Sequence, residues 1–313
     1  MQGVLQGFAI ILLLIGAGLA AAVLLPSKRD ALARGMTPLI YYLTNPALMF
    51  ILLSETDLRQ VAGVFTPIAL LVAVLTAGLY ALVSRLAFKT RWSNLPSAAM
   101  STSYVNAGNI GVPLALYAVG STVPVVSVLL AQLLLIAPFY LCLFALIAKR
   151  RQGADSQGNI GRTILRSIAN PLTTMAFLGA LFSFAGWRLP GVLHAPLQML
   201  GDASVPLLLV AFGLALYGQK PLANPSIRAE VYVGTAFKLF VAPAIAWVAG
   251  SVLFHLQGVD LLGVVMMAAL PTAQNVLLFS QQFKLPVDVP REIILLSTLL
   301  TLPVILLITL VLG

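Results

Sequence analysis

Two stretches of this sequence combine asparagine, glycine and proline inside long apolar runs. The first extends from Asn106 to Pro113 and has the order Asn-Ala-Gly-Asn-Ile-Gly-Val-Pro. The second extends from Pro271 to Asn275 and has the order Pro-Thr-Ala-Gln-Asn. Amide and hydroxyl side chains donate hydrogen bonds to a carboxylate without adding a negative charge of their own. These residue types indicate a binding site for a small anion.

The candidate binding residues are the amides, the hydroxyl and one glycine of these two stretches. They are Asn106, Gly108, Asn109, Thr272, Gln274 and Asn275. Two other interpretations stay open. In the first, the polar side chains serve only to satisfy nearby backbone groups. In the second, Gly108 and Gly111 serve only to let neighbouring helices approach closely.

Both stretches are expected to interrupt a helix, because glycine weakens a helix and proline removes a backbone donor. The residues expected at the interruptions are Gly111, Pro113 and Pro271. After each interruption a new helix begins with free N–H groups and the positive end of its dipole. Two such helix starts aimed at one point would attract a carboxylate.

Charged side chains are scarce within the apolar runs. Lys238 lies deep in one run, and Asp202 lies near the end of another. An ionisable residue within a membrane is a functional hypothesis by default, so both are candidates for charge neutralisation or ion coupling. A structural ion pair between them is the open alternative. Sodium and proton sites usually depend on a buried carboxylate, and the sequence places none beside either interruption.

The elements that position these residues are transmembrane helices. The chain has 313 residues, of which 60% are hydrophobic and 9% are charged. Soluble proteins average roughly 45–50% apolar and about 25% charged residues. A span takes about 20 apolar residues, so about ten spans would use nearly the whole chain. This composition excludes a soluble enzyme, a soluble nucleic-acid binder and a disulfide-stapled secreted module.

Ten apolar runs are separated by charges or by proline and glycine. They fall near residues 3–26, 32–53, 62–84, 96–118, 123–148, 164–186, 196–217, 229–255, 259–283 and 292–312. The runs are continuous rather than alternating, which favours helices and excludes an outer-membrane barrel. The two interrupted stretches lie in the fourth and ninth runs.

Lysine and arginine are unevenly distributed among the predicted loops. With ten spans, 15 of the 18 basic residues fall on one side of the membrane, and Arg59 and Arg188 fall on the other. Cytoplasmic loops carry the excess of basic residues, so both termini are expected outside the cytoplasm. Topology accounts for the basic loops, and no nucleic-acid partner is expected.

The chain divides into two halves, 1–148 and 163–313, joined by a predicted cytoplasmic loop at 149–162. Five spans in each half would make the halves run in opposite directions, which is an inverted repeat. Ala-X-Asn recurs at corresponding places, ending at Asn109 and at Asn275. We therefore predict an all-α polytopic membrane protein with ten transmembrane helices in two inverted five-helix repeats, of which helices four and nine are broken.

The sequence contains no recognised catalytic or metal-binding motif. Neither Gly-X-Ser-X-Gly nor His-Glu-X-X-His is present. The single cysteine, Cys142, cannot form a disulfide within one chain, and its simplest interpretation is a small core hydrophobe. We expect no enzymatic activity, no cofactor and no metal site.

At residues 106–114, 238–243 and 269–275, the sequence resembles the auxin efflux carrier family, and the resemblance covers essentially the full length. The bacterial branch of that family includes malonate and other organic-acid permeases, and the plant branch exports the carboxylate hormone auxin. The resemblance implies a fold related to bile-acid symporters and sodium/proton antiporters. Helices 3–5 and 8–10 would form a moving transport domain, and helices 1, 2, 6 and 7 would form a scaffold with the homodimer contact.

The resemblance also carries roles for particular residues. The family's crossover residues look like Asn106 and Pro113 in the first half and Pro271 and Asn275 in the second. Plant members carry arginine where this chain has Lys238, so the charge is kept and the bidentate geometry is not. The role of Asn109 rests on the repeat alone.

These observations predict a secondary active or potential-driven transporter of small organic anions in the bacterial inner membrane. Its substrates would be carboxylates such as malonate or indole acids, and its mechanism would be an elevator-type alternating access. Uniport, proton symport and sodium symport all stay open, with sodium the least supported. One alternative is a cation/proton antiporter on the same fold, with Asp202 as ion carrier. Another is a membrane receptor that binds a ligand at the crossover without transporting it.

Overall fold

The protein is helical throughout the part that the structure describes. The structure is a computed structural model that describes residues 2–57, 61–152, 169–218, 222 and 224–312. In these ranges the only β-type pairing is an isolated bridge between two residues. The prediction of an all-α polytopic membrane protein is confirmed at this level, and the ten-helix inverted repeat stays a prediction. Most of the predicted loop at 149–162 lies outside the described residues.

Twelve helices can be numbered in chain order within the described ranges. They are α1 (Gln2–Leu24), α2 (Arg29–Glu55), α3 (Gly63–Ala87), α4 (Leu95–Ser103), α5 (Ala107–Val119), α6 (Val123–Arg150), α7 (Pro171–Ala185), α8 (Gly191–Leu216), α9 (Pro225–Leu253), α10 (Gly258–Ala268), α11 (Asn275–Gln282) and α12 (Asp288–Leu312). Six of these described helices, α2, α3, α6, α8, α9 and α12, are long and apolar enough to cross a membrane.

The chain forms two compact units. The first consists of Met1–Val61, Gly108–Val126 and Ala169–Lys220, and the second of Ala62–Ala107, Ser127–Ile168 and Pro221–Gly313. The first unit therefore holds α1, α2, α7 and α8 together with nearly all of α5. The second holds α3, α4, α9 to α12 and most of α6. The assignment of scaffold and transport roles stays a prediction.

Close helix contacts at glycine hold the first unit together. A Cβ atom added to Gly18 in α1 would lie 2.1 Å from the carbonyl oxygen of Val210 in α8. One added to Gly213 would lie 2.0 Å from the carbonyl oxygen of Ile15. Lipid tails are as apolar as leucine, so the hydrophobic effect does not drive helices together within a membrane. The helices associate through van der Waals packing instead, and small residues allow their backbones to approach closely.

The second unit is packed around the antiparallel pair α3 and α9. Ile68 and Val72 of α3 lie in one buried cluster with Ala242 and Ala246 of α9. A separate cluster joins α4, α6 and α11, and its largest fully buried member is Phe144. These clusters fix the helices that carry the interrupted stretches.

Two local predictions have different outcomes. Asn170 caps α7, because its side chain accepts a hydrogen bond from the Thr173 amide at 3.0 Å and Pro171 occupies the first turn. The interpretation of Cys142 as a core residue is wrong, since its side chain is exposed on α6. The neighbouring residue Leu141 is buried instead. Consecutive side chains of an α-helix point in different directions, so the residue next to a buried position can face outward.

Gly16 and Gly18 of α1 provide a matched test of the close contact between α1 and α8. At Gly16 a Cβ atom would meet nothing within 4 Å, and alanine favours a helix by about 1 kcal/mol over glycine. At Gly18 the methyl group would overlap the Val210 carbonyl, and overpacking typically costs about 1–3 kcal/mol. We expect Gly18→Ala to lower the melting temperature of the purified protein and Gly16→Ala to preserve or raise it. Equal melting temperatures for the two variants would contradict the contact.

Candidate functional site

The first helix interruption separates α4 from α5. Helix α4 ends at Ser103, and Tyr104 has the extended conformation, with φ −98° and ψ 107°. The chain becomes helical again at Ala107. The interruption therefore comprises residues 104–106.

The expected location of this interruption needs correction, because Gly111 and Pro113 lie inside α5. Pro113 belongs to a short α-helical segment, Val112–Leu114, with a π-helical turn on each side. A π turn is wider than an α turn and breaks the regular i→i−4 hydrogen bonding. The helix therefore accommodates a proline, which lacks the N–H donor, without ending.

The second interruption separates α10 from α11 and contains the expected proline. Helix α10 ends at Ala268, and α11 begins at Asn275. Pro271 lies between them and is buried. Gln274 is the N-cap residue of α11, so Gln274 and Asn275 form the start of this helix.

The two interrupted segments pair with each other through their backbones. Val105 and Thr272 form an antiparallel bridge. The Asn106 amide donates to the Pro271 carbonyl at 2.8 Å, and the Ala273 amide donates to the Tyr104 carbonyl at 3.1 Å. Each segment thus supplies the partners that the other lost when its helix ended. We call these paired residues, 104–106 and 271–273, the crossing.

Side chains from neighbouring helices satisfy further backbone groups at the crossing. The Gln132 amide of α6 donates to the Val105 carbonyl at 3.2 Å. The Thr272 amide donates to the Ser297 hydroxyl of α12 at 3.1 Å, and the Thr272 hydroxyl donates to the Ser101 carbonyl. All of these side chains are buried. In a lipid environment every unpaired backbone group is costly, so these contacts stabilise the interruption.

Lys238 completes the support at the second interruption. Its side chain is fully buried, and its ammonium donates to the carbonyl oxygen of Ala268, the last residue of α10, at 2.7 Å. Asp202 lies in the first unit, is exposed and accepts a hydrogen bond from Gln198 at 2.7 Å. Each of the two charged candidates thus has a partner of its own within its own unit.

The amides predicted to bind substrate have different surroundings. Asn106 is part of the crossing in the second unit, and Gln274 and Asn275 follow it directly; Gln274 is exposed and the other two are half-buried. The Asn275 side chain also contacts the Tyr104 phenol. Thr272, in contrast, is fully buried and both its amide and its hydroxyl are engaged by the fold.

Asn109 and Gly108 belong to the first unit. Asn109 accepts a hydrogen bond from the side chain of Asn45 at 3.3 Å, so Asn45 of α2 joins the polar residues around this position. A Cβ atom at Gly108 would meet nothing within 4 Å. Close helix packing therefore does not explain this glycine, and the backbone at Gly108 is open to a ligand.

Sequence reasoning missed three supporting residues, Gln132, Tyr104 and Ser297. Each is a polar residue within an apolar run, and a survey of every such residue would have identified them as candidates. Their partners could not have been found in this way, because each bond joins residues far apart in sequence.

The arrangement can attract an anion. Ala107 starts α5 directly after Asn106, and Asn275 starts α11 one residue after Gln274. The first-turn amides of a helix have no acceptors within the helix and carry a partial positive charge. No carboxylate takes part in the crossing contacts among the described residues. These helix starts contribute partial positive charge beside the crossing.

Comparisons with known proteins identify the family. A family model described as "Membrane transport protein" matches residues 4–309. The chain is also 28% identical over 271 residues to a protein of Rhizobium meliloti (strain 1021) described as "Putative malonate transporter", and the match covers 84% of this chain and 81% of that protein.

Thr272→Val tests the structural role of the Thr272 hydroxyl. The variant keeps the side-chain shape but leaves the Ser101 carbonyl without its donor, and an unsatisfied buried group costs about 1–3 kcal/mol. We expect a lower melting temperature and faster hydrogen exchange at the Asn106 and Ala273 amides. Thr298→Val is the control, since the Thr298 hydroxyl bonds only to a carbonyl of its own helix. Equal effects of the two changes would contradict a specific role for Thr272.

Proposed function

The chain belongs to the membrane transport protein family, the auxin efflux carrier family that its motifs resemble, and we propose that it carries small organic anions across the membrane. The substrate class in this proposal is a carboxylate, such as malonate or an indole acid. The relative described as a malonate transporter supports this class.

The observation that carries the proposal is the crossing of two helix starts without an acidic side chain. Asn106 belongs to the paired segments, Asn275 follows them at the start of α11, and Lys238 adds a buried positive charge in the same unit. A carboxylate gains from neutral amide donors and from helix N-termini, whereas a sodium ion requires oxygen ligands that usually include a carboxylate. An anion suits this environment better than a cation.

In this proposal the amides of Asn106, Gln274 and Asn275 donate hydrogen bonds to the substrate. Thr272 acts by fixing the paired backbone, and the binding roles of Gly108 and Asn109, which belong to the first unit, rest on the sequence alone. Pro271 keeps the second segment extended, because it cannot donate a backbone hydrogen bond and restricts the residue before it.

We further propose an elevator mechanism in which predicted spans 3–5 and 8–10 form the moving transport domain, while predicted spans 1, 2, 6 and 7 form the scaffold and the dimer contact. The grouping of α1, α2, α7 and α8 in one compact unit supports this scaffold, and nearly all of α5 belongs to that unit as well. The protein would act in the bacterial inner membrane with both termini outside the cytoplasm, as the distribution of basic residues indicates.

The alternative of a cation/proton antiporter would need Asp202 as its ion carrier. Asp202 is exposed, bonds to Gln198 and takes no part in the crossing. Membership of a transporter family also counts against a receptor that binds without transporting. The organic anion carrier is therefore the function that these contacts favour.

Uptake of radiolabelled malonate into proteoliposomes tests this function. A hydrogen bond to a charged group is worth about 1.5–3 kcal/mol, so losing one should slow uptake about 10–100-fold. We expect this loss for Asn106→Ala, Asn109→Ala and Asn275→Ala. Gln281→Ala is the control, because Gln281 is an exposed amide at the opposite end of α11.

Melting temperatures of all the variants separate a loss of binding from a loss of folding. Asparagine variants that fold and transport at the wild-type rate would refute the site. If wild-type protein takes up no malonate, the same assay with indole-3-acetate and succinate decides whether carboxylates are carried at all, and failure with all three would refute the function.

A further inference from the structure

Lys238 is the buried charge that the binding site leaves unexplained. Its side chain has no solvent exposure, and its ammonium lies 2.7 Å from the carbonyl oxygen of Ala268. Within the described part of the chain, no hydrogen bond or ion pair joins Lys238 to a carboxylate. Burying an ammonium without a carboxylate partner costs free energy, and the helix end that Lys238 contacts must offset this cost.

The partner of Lys238 is a helix C-terminus. Ala268 is the last residue of α10, and the final carbonyls of a helix lack donors within the helix and carry a partial negative charge. In secondary transporters with broken helices, such C-terminal ends and the unwound carbonyls beside them are the ligands of the coupling cation. The Lys238 ammonium therefore occupies the kind of position that a sodium ion takes elsewhere.

We propose that Lys238 is a tethered cation that replaces a coupling ion at the C-terminal end of α10. The ammonium neutralises the helix end, fixes the second interruption and makes carboxylate transport independent of sodium. Lys238 is then a positioning residue, which acts on the substrate through the helix break. The inference rests on the transport function proposed above and adds to it the absence of a sodium requirement.

Removing the lysine side chain would leave a small cavity beside the carbonyl oxygen of Ala268. Oxygen atoms are the ligands that sodium prefers, and they also accept hydrogen bonds from an alkylammonium ion. A free cation should therefore restore what Lys238→Ala removes. Lys238→Met fills most of the same space without a charge, so it should not be restored.

The test measures malonate uptake by proteoliposomes in sodium, choline and ethylammonium chloride. Wild-type uptake should be equal in sodium and choline. In choline, Lys238→Ala should slow uptake about tenfold, the effect of roughly one buried helix-dipole interaction. Sodium or ethylammonium should restore most of the rate for Lys238→Ala and none for Lys238→Met. Lys284→Ala, which removes an exposed lysine of the same unit, should behave as wild type.

A second measurement keeps the inference independent of transport. The melting temperature of detergent-purified Lys238→Ala should rise with ethylammonium or sodium concentration, because a ligand that binds only the folded state stabilises it. The melting temperature of wild type and of Lys238→Met should not rise in this way.

Sodium-dependent uptake by wild type would overturn the inference, as would a folded Lys238→Ala protein that no cation stabilises or restores. Absence of malonate uptake by wild type would count against the proposed function alone, since the melting measurement still decides the role of Lys238.

Discussion

Backbone groups in a lipid environment need hydrogen-bond partners, and the rest of this structure depends on how the two broken helices meet that requirement. Each interruption leaves amides and carbonyls without their helical partners, at several kcal/mol for each unsatisfied group. Residues 104–106 and 271–273 supply these partners to each other. Buried side chains satisfy further groups: Gln132 and Ser297 reach the crossing from two other helices, and Lys238 contacts the end of α10 beside it.

The same pairing supports the proposal that the site binds an anion. A helix that ends and begins again presents a new N-terminus, and the pairing fixes where that N-terminus lies. The negative C-terminal end of α10 has a partner within the chain, because the Lys238 ammonium donates a hydrogen bond to its last carbonyl. The positive ends beside Asn106 and Asn275 are left to neutral amides. The chain thus compensates its negative helix end internally and leaves positive potential for a substrate.

The sequence predicts the class of fold and the approximate positions of both interruptions along the chain, because apolar length and clustered asparagine, glycine and proline have direct physical consequences. It places the first interruption too late. Proline weakens a helix wherever it stands, and only the surrounding turns decide whether the helix ends or widens, as it does at Pro113. The pairing of Val105 with Thr272 joins residues far apart in the chain, and no local pattern predicts such a contact. The Ala268 carbonyl as partner of Lys238 is equally non-local.

The central claim is that the crossing binds a carboxylate through its negative charge. Isothermal titration of the purified protein with malonate, succinate and indole-3-acetate, each beside its uncharged amide, tests this claim most directly. The account predicts saturable binding of at least one carboxylate, no binding of the matching amide, and loss of binding in Asn275→Ala. Equal binding of acid and amide, or no binding of any of the three acids, would contradict it.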